Sequence, residues 1–245
     1  MEKNRNRIGW IDDLRGFAIL AMIAHHAVYD VITLLPNPPY FLERILTSSA
    51  FAFVRLGFVA IFLLLAGICT RLTRGPYVRA LKVAVGAMLV TAATWLVMPD
   101  SLVVFGILHC MAACMLIYAV AGRLFEKVPP LAGLIACIML AILTHHIEDG
   151  YIGVGSMALH LPQSLYRGGV WLALGFPAKD FVSVDYVPLF PNLFLFLAGS
   201  YLGRMRLPRM GSHSRVLAYV GRHSLFIYLL HQPVLWGIFY AIGRL

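Results

Sequence analysis

The sequence predicts an all-α polytopic integral membrane helix bundle, with about seven transmembrane helices and a re-entrant or interfacial segment near residues 165–177. Three observations predict it. Hydrophobic residues make up 60% of the chain and charged residues only 13%, against about 25% charged in ordinary soluble domains. Several stretches hold about 20 mostly apolar residues, the length a helix needs to cross a bilayer while satisfying its own backbone. The basic residues behind the net charge of +9 stand in short clusters between those stretches, as lysine and arginine do in cytoplasmic loops.

In chain order the expected spans are 14–35, 50–70, 80–98, 102–121, 131–147, 187–203 and 222–242. The first follows Lys3, Arg5 and Arg7 as a signal peptide would, but Arg15 interrupts its apolar region and further spans come after it. It is expected to remain as the first helix. The run from Gly168 to Phe176 is apolar but too short to cross. Basic clusters lie at the N-terminus, at Arg71, Arg74, Arg79 and Lys82, at Arg123 and Lys127, and at Arg204, Arg206, Arg209 and Arg215. All fall on one side if the chain crosses seven times with residues 148–186 outside. That arrangement puts the N-terminus in the cytoplasm and the C-terminus outside the inner (plasma) membrane, as a multi-pass protein. An eighth crossing would place the last cluster outside, against the rule.

Other classes are disfavoured. Cys69, Cys110, Cys114 and Cys137 sit within apolar runs, which signals packing and not a disulfide framework or a zinc pair. The histidines are scattered over different helices without ligand spacing, so no metal is expected. The basic clusters lack the interleaved aromatics of a nucleic-acid surface. No repeat or linker divides the chain, so residues 1–245 read as a single transmembrane domain, and a homodimer is compatible with it.

Polar residues at membrane depth carry the chemistry, because a charge there costs at least about 2.5–3.5 kcal/mol. In the first helix His26 and Asp30 are spaced i,i+4 on one face, and Asp12 and Arg15 are spaced i,i+3 at the other end. Asp12 and His26 are about 21 Å apart along a helix axis, so two polar layers are expected, one on each side of the membrane. Arg55 falls at a depth similar to Asp30, which allows an ion pair between them. His109 and Asp185 belong to the outer layer. His231 lies nearer the middle of the last helix, where Pro233 removes a hydrogen bond and a local kink would turn His231 and Gln232 toward a cavity. A lone buried histidine is as often a satisfied core residue as a functional one. An imidazole one turn from a carboxylate is different, since the carboxylate can orient the ring and raise its basicity.

Four stretches carry a resemblance: IDDLRGFAILAMIAHHAVYD (11–30), FGILHCM (105–111), DYVPLFPNLFLFLAGSYLGR (185–204) and GRHSLFIYLLHQPV (221–234). Their content and order resemble the bacterial membrane family that shares the catalytic domain of heparan-α-glucosaminide N-acetyltransferase, within a wider group of transmembrane acyltransferases. Asp12, Leu14, Arg15, Gly16, Met22, His26 and Asp30 match the family's first-helix pattern. His25 is an extra imidazole beside it, but only His26 has the i,i+4 carboxylate. The resemblance implies an enzyme that transfers an acyl group, typically acetyl, from cytosolic acetyl-CoA to an extracytoplasmic amino sugar or cell-envelope glycan, with acetyl-CoA as co-substrate. Heparan itself is not carried over, because the resemblance covers mainly the catalytic helices.

On that reading Arg15, Arg74 and Arg222, with Asp12 beside Arg15, are candidates for the coenzyme A phosphates at a cytoplasmic mouth. His26 would act as general base with Asp30 holding the ring and stabilising the imidazolium. A covalent acetyl-histidine is an open alternative. Asn192 and His109 are candidates to polarise the thioester carbonyl. Asp185 and Tyr186 are candidates to grip the acceptor, and Arg55 and His231 are counted among the groups facing substrate. The alternative from another class is a small transporter or flippase using the buried His and Asp for protons or substrate, against which the missing repeat weighs modestly.

Overall fold

The structure is a computed structural model that describes residues 8–70, 75–208 and 210–243. Among the described residues it is mainly helical, with one two-stranded ribbon and a largely irregular stretch between residues 150 and 188. In chain order the helices are α1 (Gly9–Leu34), α2 (Tyr40–Leu46), α3 (Ser49–Thr70), α4 (Pro76–Val97), α5 (Ile107–Phe125), α6 (Pro130–Leu143), α7 (Leu189–Leu202), α8 (Arg215–Arg222) and α9 (Ser224–Ile242). Strands β1 (Tyr151–Ile152) and β2 (Leu159–His160) pair antiparallel in the segment between α6 and α7.

Six helical segments are long and apolar enough to cross a membrane: α1, α3, α4, α5, the segment Pro130–Asp149 that α6 begins, and α9. The chain is a multi-pass membrane protein. Helix α7 is a seventh apolar helix but has only 14 residues. Phe190 is extended at its start (φ −97°, ψ 132°), so the regular turns begin at Pro191. Between Gln163 and Leu174 there are two single turns of 3-10 helix, Gln163–Tyr166 and Leu172–Leu174, where an interfacial segment was expected. Large apolar side chains such as Leu81, Met88 and Trp95 of α4 and Phe226 of α9 are exposed. That is how helices look when lipid, not water, is the solvent for their outer faces.

The helix starts differ from the sequence reading at one place that matters. The apolar run predicts a span from 102, but α5 begins at Ile107. Phe105 adopts a left-handed conformation (φ 54°) and Gly106 is extended. Residues 103–107 instead bond to the stretch that leads into α7. Val104 N–H donates to Ser183 Oγ (3.0 Å), Val187 N–H to Phe105 O (3.0 Å), and Ile107 N–H to the Asp185 carboxylate (3.3 Å). Long-range pairing of backbone groups here outweighs local apolarity.

The chain divides into two compact units. One holds the described residues up to Phe62 and from Pro208 onward, and the other runs from Leu63 to Leu207. In the first, glycine sets the packing. A Cβ on Gly16 would strike the carbonyl of Leu217, and one on Gly221 would strike the carbonyl of Asp12, so α8 rests directly on the start of α1. At the far end a Cβ on Gly243 would meet Leu34 O. Leu217 sits at Gly16 and Gly221 at Asp12, so α8 runs antiparallel to α1, whereas His231 beside His26 and Gly243 beside Leu34 make α9 run parallel to it. Asp13, buried in α1, accepts hydrogen bonds from Ser212 Oγ (2.7 Å) and His213 N–H (2.7 Å), which ties down the loop into α8. Ser214 then caps α8 by accepting from Leu217 N–H (3.3 Å).

The second unit repeats the same packing device. A Cβ on Gly67 would strike Phe196 O and one on Gly199 would strike Leu64 O, which holds α3 against α7. Arg204 closes the C-terminal end of α5, donating to the carbonyls of Phe125 (3.2 Å), Glu126 (2.9 Å) and Val128 (2.9 Å). Cys69, Cys110, Cys114 and Cys137 are buried.

Candidate active site

The first unit gathers His26, Asp30, His231 and Gln232. His26 and His231 face each other from α1 and α9, with ring centroids 4.9 Å apart in an edge-to-face arrangement. Each ring is fixed through Nδ1 to a carbonyl of its own helix, His26 to Met22 O (3.0 Å) and His231 to Tyr228 O. A carbonyl oxygen only accepts, so in both neutral rings the proton sits on Nδ1 and the lone pair on Nε2. His25 points elsewhere, stacking on Phe51 of α3 with centroids 5.0 Å apart. The helical register thus turns His26, and not His25, toward His231.

Asp30 is 2% exposed. Its two oxygens accept from Gln232 Nε2 at 2.9 and 3.1 Å. The sequence reading allowed an ion pair with Arg55, but among the described residues the carboxylate is held by this amide, and Arg55 is exposed on α3. The expectation that Asp30 fixes the His26 tautomer is corrected as well, because Met22 O receives the Nδ1 proton. Asp30 acts on His26 as a neighbouring charge on the same helix face. The Nε2 of His231 and the Oε1 of Gln232 are buried and have no hydrogen-bond partner among the described residues.

At the other end of α1, Arg15 donates to Gly221 O (3.1 Å) and lies 3.5 Å from the carboxylate of Asp12. Asp12 is buried, Arg15 is partly buried, and Arg222 is exposed one residue beyond Gly221. The i,i+3 pairing read from the sequence is present, and Arg15 also clasps the last turn of α8. Arg74 lies outside the described residues.

The remaining expected site residues belong to the second unit. His109 sits in the first turn of α5, where its Nε2 meets Thr91 Oγ1 (3.3 Å) while the threonine proton goes to Val103 O (2.8 Å). Nε2 is then the protonated nitrogen. Asp185 caps the start of α5 through Ile107 N–H. Asn192 is buried and donates to Pro188 O (2.8 Å). Tyr186 donates to Leu172 O (2.6 Å) and lines a cavity of about 990 Å³ in the segment between α6 and α7, with Glu148, Asp149, His160, Arg167 and Lys179. Burial pushes the Tyr186 phenol well above its ordinary value, and Glu148 adds to this. Burial raises Tyr166 too, helped by Asp149. Both hydroxyls stay protonated donors at neutral pH. Beside the cavity His146 pairs with Asp149 (2.8 Å) and stacks on Tyr151.

Residues 7–233 match the family described as heparan-alpha-glucosaminide N-acetyltransferase, catalytic. The chain belongs to this family. Comparison with curated proteins found no match, and comparison with solved structures found none. Membership implies acetyltransferase activity, and the match runs through both compact units to include His26, Asp30, His231 and Gln232.

The sequence reading placed His26 and Asp30 on one face of α1, and the structure adds three groups that it had not counted among the site residues: Gln232, the Met22 carbonyl and Asp13. Gln232 was visible only as a polar residue beside a proline. The Met22 carbonyl carries no side-chain signal. Asp13 is a second acid next to Asp12 at the start of an apolar helix, and that position is its only sequence signal; the structure buries it.

Proposed function

We propose that this protein transfers an acetyl group from cytosolic acetyl-CoA to an amino sugar or cell-envelope glycan on the extracytoplasmic side, with His26 as the general base. The observation that supports this most directly is the His26 ring, locked with Nδ1–H on Met22 O and its Nε2 lone pair available beside a buried carboxylate. A base in that state accepts a proton without first losing one. As the acceptor's nitrogen or oxygen attacks the thioester carbon, its proton passes to Nε2. Asp30 then faces an imidazolium one helical turn away and stabilises it. Gln232 holds that carboxylate in place.

The coenzyme fits the other end of the same helix. Its phosphates need cations near the membrane surface, and Arg222 with Arg15 supplies them at the α1–α8 junction. The thioester arm then extends along α1 toward His26. In this orientation the N-terminus is cytoplasmic and the C-terminus extracytoplasmic.

The test is a labelled acetyl-CoA assay on purified protein with a panel of amino sugars and glycans. Label should move to acceptor in the native protein, and His26→Ala should lose roughly 10² to 10⁴ in rate while still binding coenzyme A. His25→Ala should stay active, since its ring stacks on Phe51. Full activity in His26→Ala would refute the assignment, and a stable labelled protein would point to an acetyl-histidine.

A further inference from the structure

The acetyl transfer proposed above leaves one proton to be moved, from the acceptor to the departing sulfur, and a general base at His26 accounts for only the first half. The structure places a second imidazole against it. His231 is 9% exposed, its ring lies 4.9 Å from that of His26, and its Nδ1 is bonded to Tyr228 O. Its Nε2 is buried with no partner among the described residues. A buried ring nitrogen without a hydrogen bond forfeits its solvation, and a purely structural histidine would be expected to use both nitrogens. Here one nitrogen fixes the ring and the other is kept bare beside the base. Pro233, two residues on, interrupts the hydrogen bonding of α9 at this level.

We propose that His231 is a second catalytic imidazole, which takes the acceptor's proton from His26 and delivers it to the sulfur of coenzyme A. This rests on the reading of His26 as general base. The steps balance. The acceptor's lone pair forms a bond to the thioester carbon, and its proton goes to Nε2 of His26, giving an imidazolium whose Nδ1–H remains on Met22 O. That proton passes from His26 Nε2 to His231 Nε2. The C–S bond breaks, its electron pair stays on sulfur, and sulfur takes the proton from His231. Both imidazoles return to the neutral state in which each Nδ1 holds its carbonyl. The products are the acetylated acceptor and the free thiol, with no other reactant needed. Two bases also let acceptor and sulfur occupy different sides of the imidazole pair, which one ring serving both would not allow.

The experiment compares leaving groups. His231→Asn keeps an amide that can donate to Tyr228 O but removes the Nε2 position. With acetyl-CoA it should lose roughly 10² to 10⁴ in kcat, with coenzyme A affinity unchanged. With the acetyl thioester of 4-nitrothiophenol, whose thiolate departs without protonation, the loss should fall below about tenfold. An equal loss on both donors, or none with acetyl-CoA, would overturn the proposal. His26→Ala should be impaired on both donors, so an active His26→Ala sinks the underlying reading instead. If His231→Asn does not fold, the native protein decides the matter through a series of acetyl thioesters of increasing thiol acidity. Rates nearly independent of that acidity are expected, and a steep dependence would show that no group protonates the sulfur.

Discussion

Replacing Asp30 by Asn removes one charge and keeps the shape of the side chain, so it isolates what the carboxylate does for His26. Residues four apart on a helix face have Cβ atoms about 6 Å apart, and α1 is unbroken from Gly9 to Leu34. At an effective dielectric of about 20, a unit charge pair at about 6 Å is worth about 2.8 kcal/mol. That is roughly a hundredfold in rate, at about 1.4 kcal/mol per factor of ten, if the imidazolium is fully formed in the transition state. Asp30→Asn should therefore lower kcat by up to about 100-fold, with little change in coenzyme A affinity. It should cost less than His26→Ala. The assay is initial-rate transfer of labelled acetyl at saturating donor, with a thermal melt in detergent alongside, because Asn offers one acceptor oxygen to Gln232 where Asp offers two. A folded Asp30→Asn with native turnover would refute the electrostatic role. A collapse in melting temperature with native turnover per folded molecule would reduce Asp30 to a packing partner of Gln232.

The two arginines at the opposite layer should separate. Arg222→Gln is expected to weaken coenzyme A binding by about 1.5–3 kcal/mol, the range for hydrogen bonds to a charged group, measured by calorimetry. Arg15→Gln should lower the melting temperature as well, because Arg15 also bonds Gly221 O and faces Asp12. Gly221→Ala should destabilise by about 1–3 kcal/mol through overpacking, as its Cβ would land on Asp12 O, whereas Gly57→Ala meets nothing within 4 Å and should be neutral or better. Equal melting temperatures for these two would refute the close α1–α8 contact. Reporter fusions should be extracytoplasmic after Leu245 and cytoplasmic near Pro208, and both on one side would overturn the topology.

Spans were legible in the sequence because a membrane imposes a one-dimensional rule: about 20 apolar residues in succession leave a mark that no tertiary detail erases. Where the rule failed, at 102–106, backbone pairing with the segment 183–187 replaced helix, and apolarity alone cannot show that. Site residues divide along similar lines. Helical spacing gave depth and, within one helix, azimuth, so the shared face of His26 and Asp30 was readable. Azimuth between helices was not, which is why Arg55 was an admissible partner for Asp30 when the actual one is Gln232. Carbonyl partners such as Met22 O and Gly221 O have no sequence signature at all. His109 shows the converse case, an ionisable residue at membrane depth whose Nε2 is occupied by Thr91, itself bonded to Val103 O.

Both polar layers of the first unit are built on α1 and the α8–α9 segment packed against it, and this bears on the proposed path of a thioester toward His26. On α1 the arginine and the imidazole, Arg15 and His26, are 11 residues apart, about 16 Å along the axis. On the α8–α9 segment Arg222 ends α8 and His231 lies in α9, also with the cation first and the imidazole further along. The contacts that fix this register are backbone ones, Gly16 against Leu217 and Gly221 against Asp12 at one end and Gly243 against Leu34 at the other. A side chain at these positions would move α8 and α9 against α1 and shift the two arginines relative to the imidazole pair. The glycines of the Leu14-Arg15-Gly16 and Gly221-Arg222-His223 stretches thus set the packing of α8 on α1. Their contribution is to hold Arg15 and Arg222 at one fixed distance from two Nε2 lone pairs.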